Sequence, residues 1–171
     1  MSRAAQVLVI GVGNRMRSDD AAGLEVIDRL RALPREQLGP AVRLCEHEGE
    51  GLGLLAIWES TAAVVLVDAI EGASQPGSLV RIDASTEPVP ASARSGSSTH
   101  AVGVVEAIEL ARALGRLPAR VVLCGVVGAR FEAGERLSAH VRGAIPALTE
   151  MVLAEVSGLG GGVPPGAGGQ A

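Results

Sequence analysis

The chain has 171 residues, 47% of them apolar and 20% charged, which predicts one globular domain with a single core and leaves too little length for two ordinary domains. All fifteen basic residues are arginine and the net charge is -4, while one Phe (Phe131), one Trp (Trp58) and no Tyr supply few stacking surfaces, so a nucleic-acid partner is not expected. The N-terminus has no signal-peptide pattern, and the apolar runs fall well short of the roughly 20 residues that cross a bilayer, so the expected setting is the cytoplasm, without a membrane anchor.

Gln6–Ile10 is a β-rich run stopped by glycines, and Asp20–Leu33 then places Leu24, Ile27, Leu30 and Leu33 at helical spacing. Val42–Glu46 predicts a second strand, followed by the acidic, glycine-rich His47-Glu48-Gly49-Glu50-Gly51 and a short helical stretch over Leu52–Glu59. Ala62–Val67 is apolar throughout, the pattern of a central strand covered on both faces, and Asp68 marks the expected end of burial. After a turn ending at Pro76-Gly77, residues 78–83 set Val80 and Ile82 against Leu79, Arg81 and Asp83, the alternation of a half-exposed edge strand. Ala84–Ser98 is rich in Ser, Pro and Ala and predicts a surface loop whose length hints at function.

Ala101–Leu114 is strongly helical, with a narrow polar stripe at Gly103, Glu106, Glu109 and Arg112 that implies packing on a sheet. Arg120–Val127 is another buried strand. Ser138–Val156 predicts a final helix bent at Pro146, with Val141, Ile145, Leu148, Val152 and Val156 on one side. Residues 158–171 are mostly Gly and Pro and cannot offset their chain entropy by burial, so a disordered tail is expected after a single domain over 1–157. The alternation of strands and helices indicates an α/β sandwich with a mostly parallel sheet.

Three stretches carry groups that could hold a metal: Gly11–Asp20, Val64–Asp68 and Ser97–His100. Parallel strands gather their carboxyl ends at one edge of an open sheet, the usual ligand crevice, so two carboxylates and an imidazole would converge there. Gly11-Val12-Gly13 invites a dinucleotide reading, but the third glycine is missing, Asp19 and Asp20 would repel phosphate, and without Lys there is no standard P-loop. Asp19 is read as a helix cap and Asp20 as the group facing the crevice, although Asp20 would also serve as a cap. Asp68 is either a local turn former or a ligand at the mouth of the central strand.

His100 begins the third long helix, with Ser98 or Thr99 as its cap, and the helix's positive end favours the neutral ring, leaving a nitrogen for a metal or a proton. His47 and His140 are assigned to the surface, with His47 a possible crevice residue. A Ser98, His100 and Asp68 triad is compatible with the sequence but poorly determined in geometry. Cys45 and Cys124 sit in apolar strand contexts and read as buried thiols rather than a disulfide or a zinc motif.

Gly11-Val12-Gly13-Asn14 running into Asp19-Asp20, Val67-Asp68-Ala69 closing the central strand, and Ser98-Thr99-His100 opening a helix resemble the NiFe hydrogenase maturation proteases, over nearly all of the ordered chain. The resemblance implies a three-layer α/β/α sandwich with a mostly parallel twisted sheet. It further implies an endopeptidase that removes the C-terminal extension of a hydrogenase large-subunit precursor after nickel insertion, recognising nickel that the substrate protein carries. It assigns Asp20, Asp68 and His100 as nickel-binding and catalytic residues. Two departures stand out: Ala21 where the family often has Gly, and Glu48-Gly49-Glu50 in place of a Gly-Gly-Thr loop thought to influence substrate choice. A non-enzymatic nickel-binding or chaperone-like module docking on the same subunit, and a nucleotide-binding flavodoxin-like protein, are the alternatives.

Overall fold

The structure is a computed structural model and describes residues 6–93 and 103–160. Three runs rich in Val, Ile and Leu form its central strands, β1 (Val7–Val12), β3 (Ala63–Ile70) and β5 (Arg120–Val127), buried along nearly their whole length as strands covered on both faces must be. They are flanked by β2 (Val42–His47) and β4 (Leu79–Asp83), giving a five-stranded sheet of order β2-β1-β3-β5-β4. All pairings are parallel except that of β4 with β5, so the alternating segment at 79–83 is the expected half-exposed edge strand.

Side-chain alternation sorts the strands into two cores. Val7, Val9, Val65, Val67, Val122 and Cys124 face α1 (Ala22–Arg31) and α5 (Ala139–Gly160). Leu8, Ile10, Val64, Leu66, Val121 and Leu123 face α3 (Gly51–Trp58) and α4 (Val104–Ala113). A single turn, α2 (Arg35–Leu38), closes the first face through Leu38. These are the three layers of an α/β/α sandwich. Val141, Ile145, Leu148, Val152 and Val156 are all buried, as their spacing requires.

The topology places the site. After β1 the chain crosses one face through α1 to reach β2, and after β2 it crosses the opposite face through α3 to reach β3 on the other side of β1. The connections leaving β1 and β3 therefore diverge, which opens a crevice at their carboxyl ends. Glycines let α1 settle deeply beside it. A Cβ on Gly23 would lie 2.2 Å from the Val67 carbonyl oxygen and 2.7 Å from that of Val12, and one on Gly11 would lie 2.5 Å from the Gly23 carbonyl oxygen.

Several expectations change. β3 does not end at Val67: it continues through Asp68 to Ile70 because β5 supplies ladder partners to the end, with Asp68 opposite Gly125 and Ile70 opposite Val127. Asp68 therefore lies within a buried strand. The helix expected from Asp20 begins with a 3-10 turn over Ser18–Ala21, and α5 runs to Gly160 with Pro146 inside it, past the expected end at Val156.

Residues 84–93 are not simply a surface loop. Ala84, Val89 and Ala93 are buried against α4, and Arg112 fastens the segment by donating to the carbonyls of Ala84 (2.7 Å) and Glu87 (2.9 Å) while Glu109 accepts from Val89 N–H. Residues 94–98 of that loop, 101–102 of the following helix and 161–171 of the tail lie outside the described residues. Cys45 is half-buried and Cys124 buried, and they face opposite cores across two intervening strands, so no disulfide joins them. Burial pushes the Cys124 thiol up to about 12. No helix among the described residues is long and apolar enough to cross a membrane.

Gly23→Ala should lower the unfolding free energy by about 2–3 kcal/mol, because the added methyl meets backbone that cannot turn aside. Gly143, exposed inside α5 with open space at its Cβ position, is the control: Gly143→Ala should raise stability by about 0.5–1 kcal/mol. Urea-denaturation midpoints of the two variants separate these outcomes.

Candidate functional site

The loop leaving β1 is wrapped around Asp20. Gly13 has φ +144°, a conformation that favours glycine, and its Cβ position falls 1.8 Å from the Asp20 carbonyl oxygen, so no side chain fits there. Asn14 N–H donates to Asp20 Oδ2 at 2.9 Å, and Met16 N–H donates to Asn14 Oδ1 at 2.8 Å. Asp20 is fully buried. The Gly-x-Gly pattern thus serves close packing between β1, α1 and the Asp20 turn, and no pyrophosphate cradle is needed to explain it.

Asp68 is 1% exposed, and its position in β3 puts it on the same face as Val64 and Leu66, the face covered by α3 and α4. The Ser18–Ala21 turn packs against β3. Asp20 thus comes from the turn that follows β1, and Asp68 from β3 beside it. His100, with Ser97, Ser98 and Thr99, lies outside the described residues, three positions before Gly103 at the start of α4. Among the described residues no three His, Cys, Asp or Glu side chains form a group that could hold a metal ion.

Asp19 does not cap a helix. Neither the 3-10 turn nor α1 has a side-chain cap bond at its start. Instead the fully buried Asp19 carboxylate accepts from Ala129 N–H (2.8 Å), Arg130 N–H (3.0 Å), Ser138 N–H (2.6 Å) and the Ser138 hydroxyl (2.9 Å). Neighbouring contacts extend this clasp: Ser18 N–H donates to Gly134 O at 2.7 Å, Ser18 Oγ to Glu132 O at 2.9 Å, and Arg17 Nε to Phe131 O at 3.1 Å. The same contacts hold Ser18 at φ +51°, a rare conformation for a residue with a Cβ. The sequence gives no signal for this role, because the Asp19 partners lie more than a hundred positions further along the chain.

Beside the Asp20 turn, at the ends of β1 and β2, lies a cleft of about 540 Å³ lined by Gly13, Asn14, Glu46, His47, Glu48 and Glu50 among others. His47 is therefore a crevice residue, half-buried, while His140 is exposed as expected. His47 Nδ1 accepts from Gly49 N–H at 2.9 Å, which leaves the proton of the neutral ring on Nε2. Burial holds the imidazole below its usual range against the opposing pull of Glu50 and Glu48. Glu50 caps α3 by accepting from Leu52 N–H and Gly53 N–H, so the Glu48-Gly49-Glu50 variant is an ordered wall of the cleft.

Removing the Asp19 carboxylate leaves four donors without their acceptor, two of them on the buried Ser138. Asp19→Ala should lower stability by about 3–5 kcal/mol, whereas Asp28→Ala, which loses exposed pairs to Arg15 and Arg31, should change it by less than about 1 kcal/mol. Chemical denaturation reads both. His47 predicts a pH effect of definite sign. Its folded value is depressed, so the stability it carries is fully present above the ordinary value of 6.5 and is lost as pH falls below it. Between pH values of about 8 and 5, wild-type stability should fall more steeply than that of His47→Asn.

The family model described as hydrogenase maturation protease matches residues 29–155, a span that includes Asp68 and His100 and begins after Asp20. The chain is 32% identical over 123 residues to the hydrogenase expression/formation protein HupD of Rhodobacter capsulatus, covering 70% of this chain and 56% of that protein. It is 28% identical over 150 residues to the hydrogenase 2 maturation protease of Escherichia coli K12, covering 87% and 89%. Its structure resembles the hydrogenase maturating endopeptidase HybD from E. coli, with TM-score 0.74 and 26% identity over 90% of this chain and 93% of that one. It also resembles the NiFe hydrogenase maturation protease HybD from Thermococcus kodakarensis, with TM-score 0.66 and 25% identity, covering 88% and 99%. The chain belongs to the hydrogenase maturation protease family.

Proposed function

We propose that this chain is a processing endopeptidase that hydrolyses the peptide bond joining the C-terminal extension to a hydrogenase large-subunit precursor once nickel has been inserted. The family membership supports the reaction class and the partner. The observation that carries the site is the burial of two carboxylates, Asp20 in the 3-10 turn after β1 and Asp68 within β3, beside the crevice that these two strands bound. Buried carboxylates are costly to desolvate and are compensated by hydrogen bonds or cations. With His100 they form an oxygen and imidazole donor set, one that suits Ni(II). Nickel here belongs to the substrate and supplies a dipositive anchor for these donors. In the reaction a water oxygen bonds to the scissile carbonyl carbon and the C–N bond breaks. The large subunit gains a carboxylate and the extension leaves with a new amine.

In this reading Asn14 N–H and the Gly13 turn fix the Asp20 carboxylate before substrate arrives, so that little reorganisation is needed on docking. The Glu48-Gly49-Glu50 wall next to it is where choice among precursors would be made. Purified protein incubated with nickel-loaded and nickel-free precursor should shorten only the loaded form. Asp20→Asn, Asp68→Asn and His100→Gln should each reduce cleavage at least about 100-fold. Binding of loaded precursor without any shortening would instead identify a docking module with no protease activity.

A further inference from the structure

On the far side of the Asn14–Met16 turn a second cleft, of about 520 Å³, opens between α1 and the start of α5. Arg29, Arg136 and Arg142 line it, all exposed, and among the described residues none of them forms an ion pair or a side-chain hydrogen bond. Arg15 stands on the shared wall, already held by Asp28 and Glu46. The lining thus has four arginines against two glutamates, Glu25 and Glu135, on a chain whose net charge is -4. Met16, 58% exposed, gives the cleft an apolar lip directly beside the Asp20 loop.

Folding does not call for these charges. Arg142 sits in the first turn of α5, where the helix dipole disfavours a cation, and that turn has no acidic residue to offset it. Unpaired guanidinium groups that share a cleft are well suited to carboxylates, which they bind through paired N–H groups. Across the Asn14–Met16 turn the neighbouring cleft presents Glu46, Glu48 and Glu50, so the turn divides two clefts of opposite charge. A chain laid across it meets a different field on each side.

We infer that the arginine cleft binds an acidic segment of the protein substrate, a stretch of Asp and Glu near the bond to be cut, and so sets the direction in which the substrate crosses the site. The inference rests on the processing reading only for the identity of the partner. Complementary charges of this kind act mainly on encounter and register, and are weakened by salt, whereas the carboxylates at the crevice act on the chemical step.

The test has two arms. In the first, the isotope-labelled full chain is titrated with hexaglutamate and with hexaglutamine and followed by NMR. Hexaglutamate should shift signals of Met16, Arg29, Arg136 and Arg142, the shifts should fade between about 20 and 300 mM salt, and Arg136→Glu with Arg142→Glu should abolish them. Equal responses to the two peptides, shifts elsewhere on the surface, or persistence in the double variant would overturn the inference. In the second arm the same double variant should raise KM for nickel-loaded precursor roughly tenfold while kcat stays within about twofold, and Arg136→Lys with Arg142→Lys should restore most of the loss. A fall in kcat with unchanged KM counts against a docking role. If the wild-type chain cuts no precursor, the processing reading fails, and the peptide titration still decides the chemistry of the cleft.

Discussion

Four donors converge on the Asp19 carboxylate, and the candidate site depends on that convergence. Two come from Ala129 and Arg130 just beyond β5, and two from Ser138 just before α5. The loop after β1 has no regular structure before its 3-10 turn and carries a residue in a left-handed conformation, so by itself it would have many shapes available. Clasped to the 129–138 segment, it has one. Asp20, the next residue, is held from the other side by Asn14 N–H and by the backbone-to-backbone contact at Gly13. A carboxylate gripped at both ends has little freedom to turn away from the crevice.

The sheet complements this arrangement. β1 and β3 are neighbours whose outgoing chains leave in different directions, so the crevice between them is a product of strand order rather than of any one motif. Helix α1 comes very close to both strands because Gly11 and Gly23 remove the side chains that would keep it away. Two clefts of opposite sign then flank the Asn14–Met16 turn, one with three glutamates and the other with four arginines, which gives a slightly acidic chain a strongly polarised surface at its candidate site. Family membership says which kind of protein this is.

Much of the fold was legible in the sequence because it is written in local period. Apolar runs at 62–67 and 120–127 and helical spacing at 141–156 reflect burial directly, and Asp20 and Asp68 were singled out by their places after apolar strands. What could not be read depends on residues far apart in the chain. Asp19 looks like a cap until its partners, more than a hundred positions away, are known. The extension of β3 to Ile70 depends on ladder partners in β5, and the burial of Ala84, Val89 and Ala93 depends on the shape of α4. The acidic neighbours of His47 leave its sequence reading divided between the surface and the crevice, and the bond from Gly49 N–H and its half-burial decide for the crevice.

The order in which these pieces leave the ribosome gives the Asp19 clasp a temporal meaning. Synthesis delivers the β1 loop early, but its donors at 129–138 emerge only after all five strands have been made. A nascent or truncated chain lacking that stretch has the residues of the site without the fastening that shapes them. Competence is thereby tied to completion of the sheet, and prematurely terminated products are left without an assembled centre.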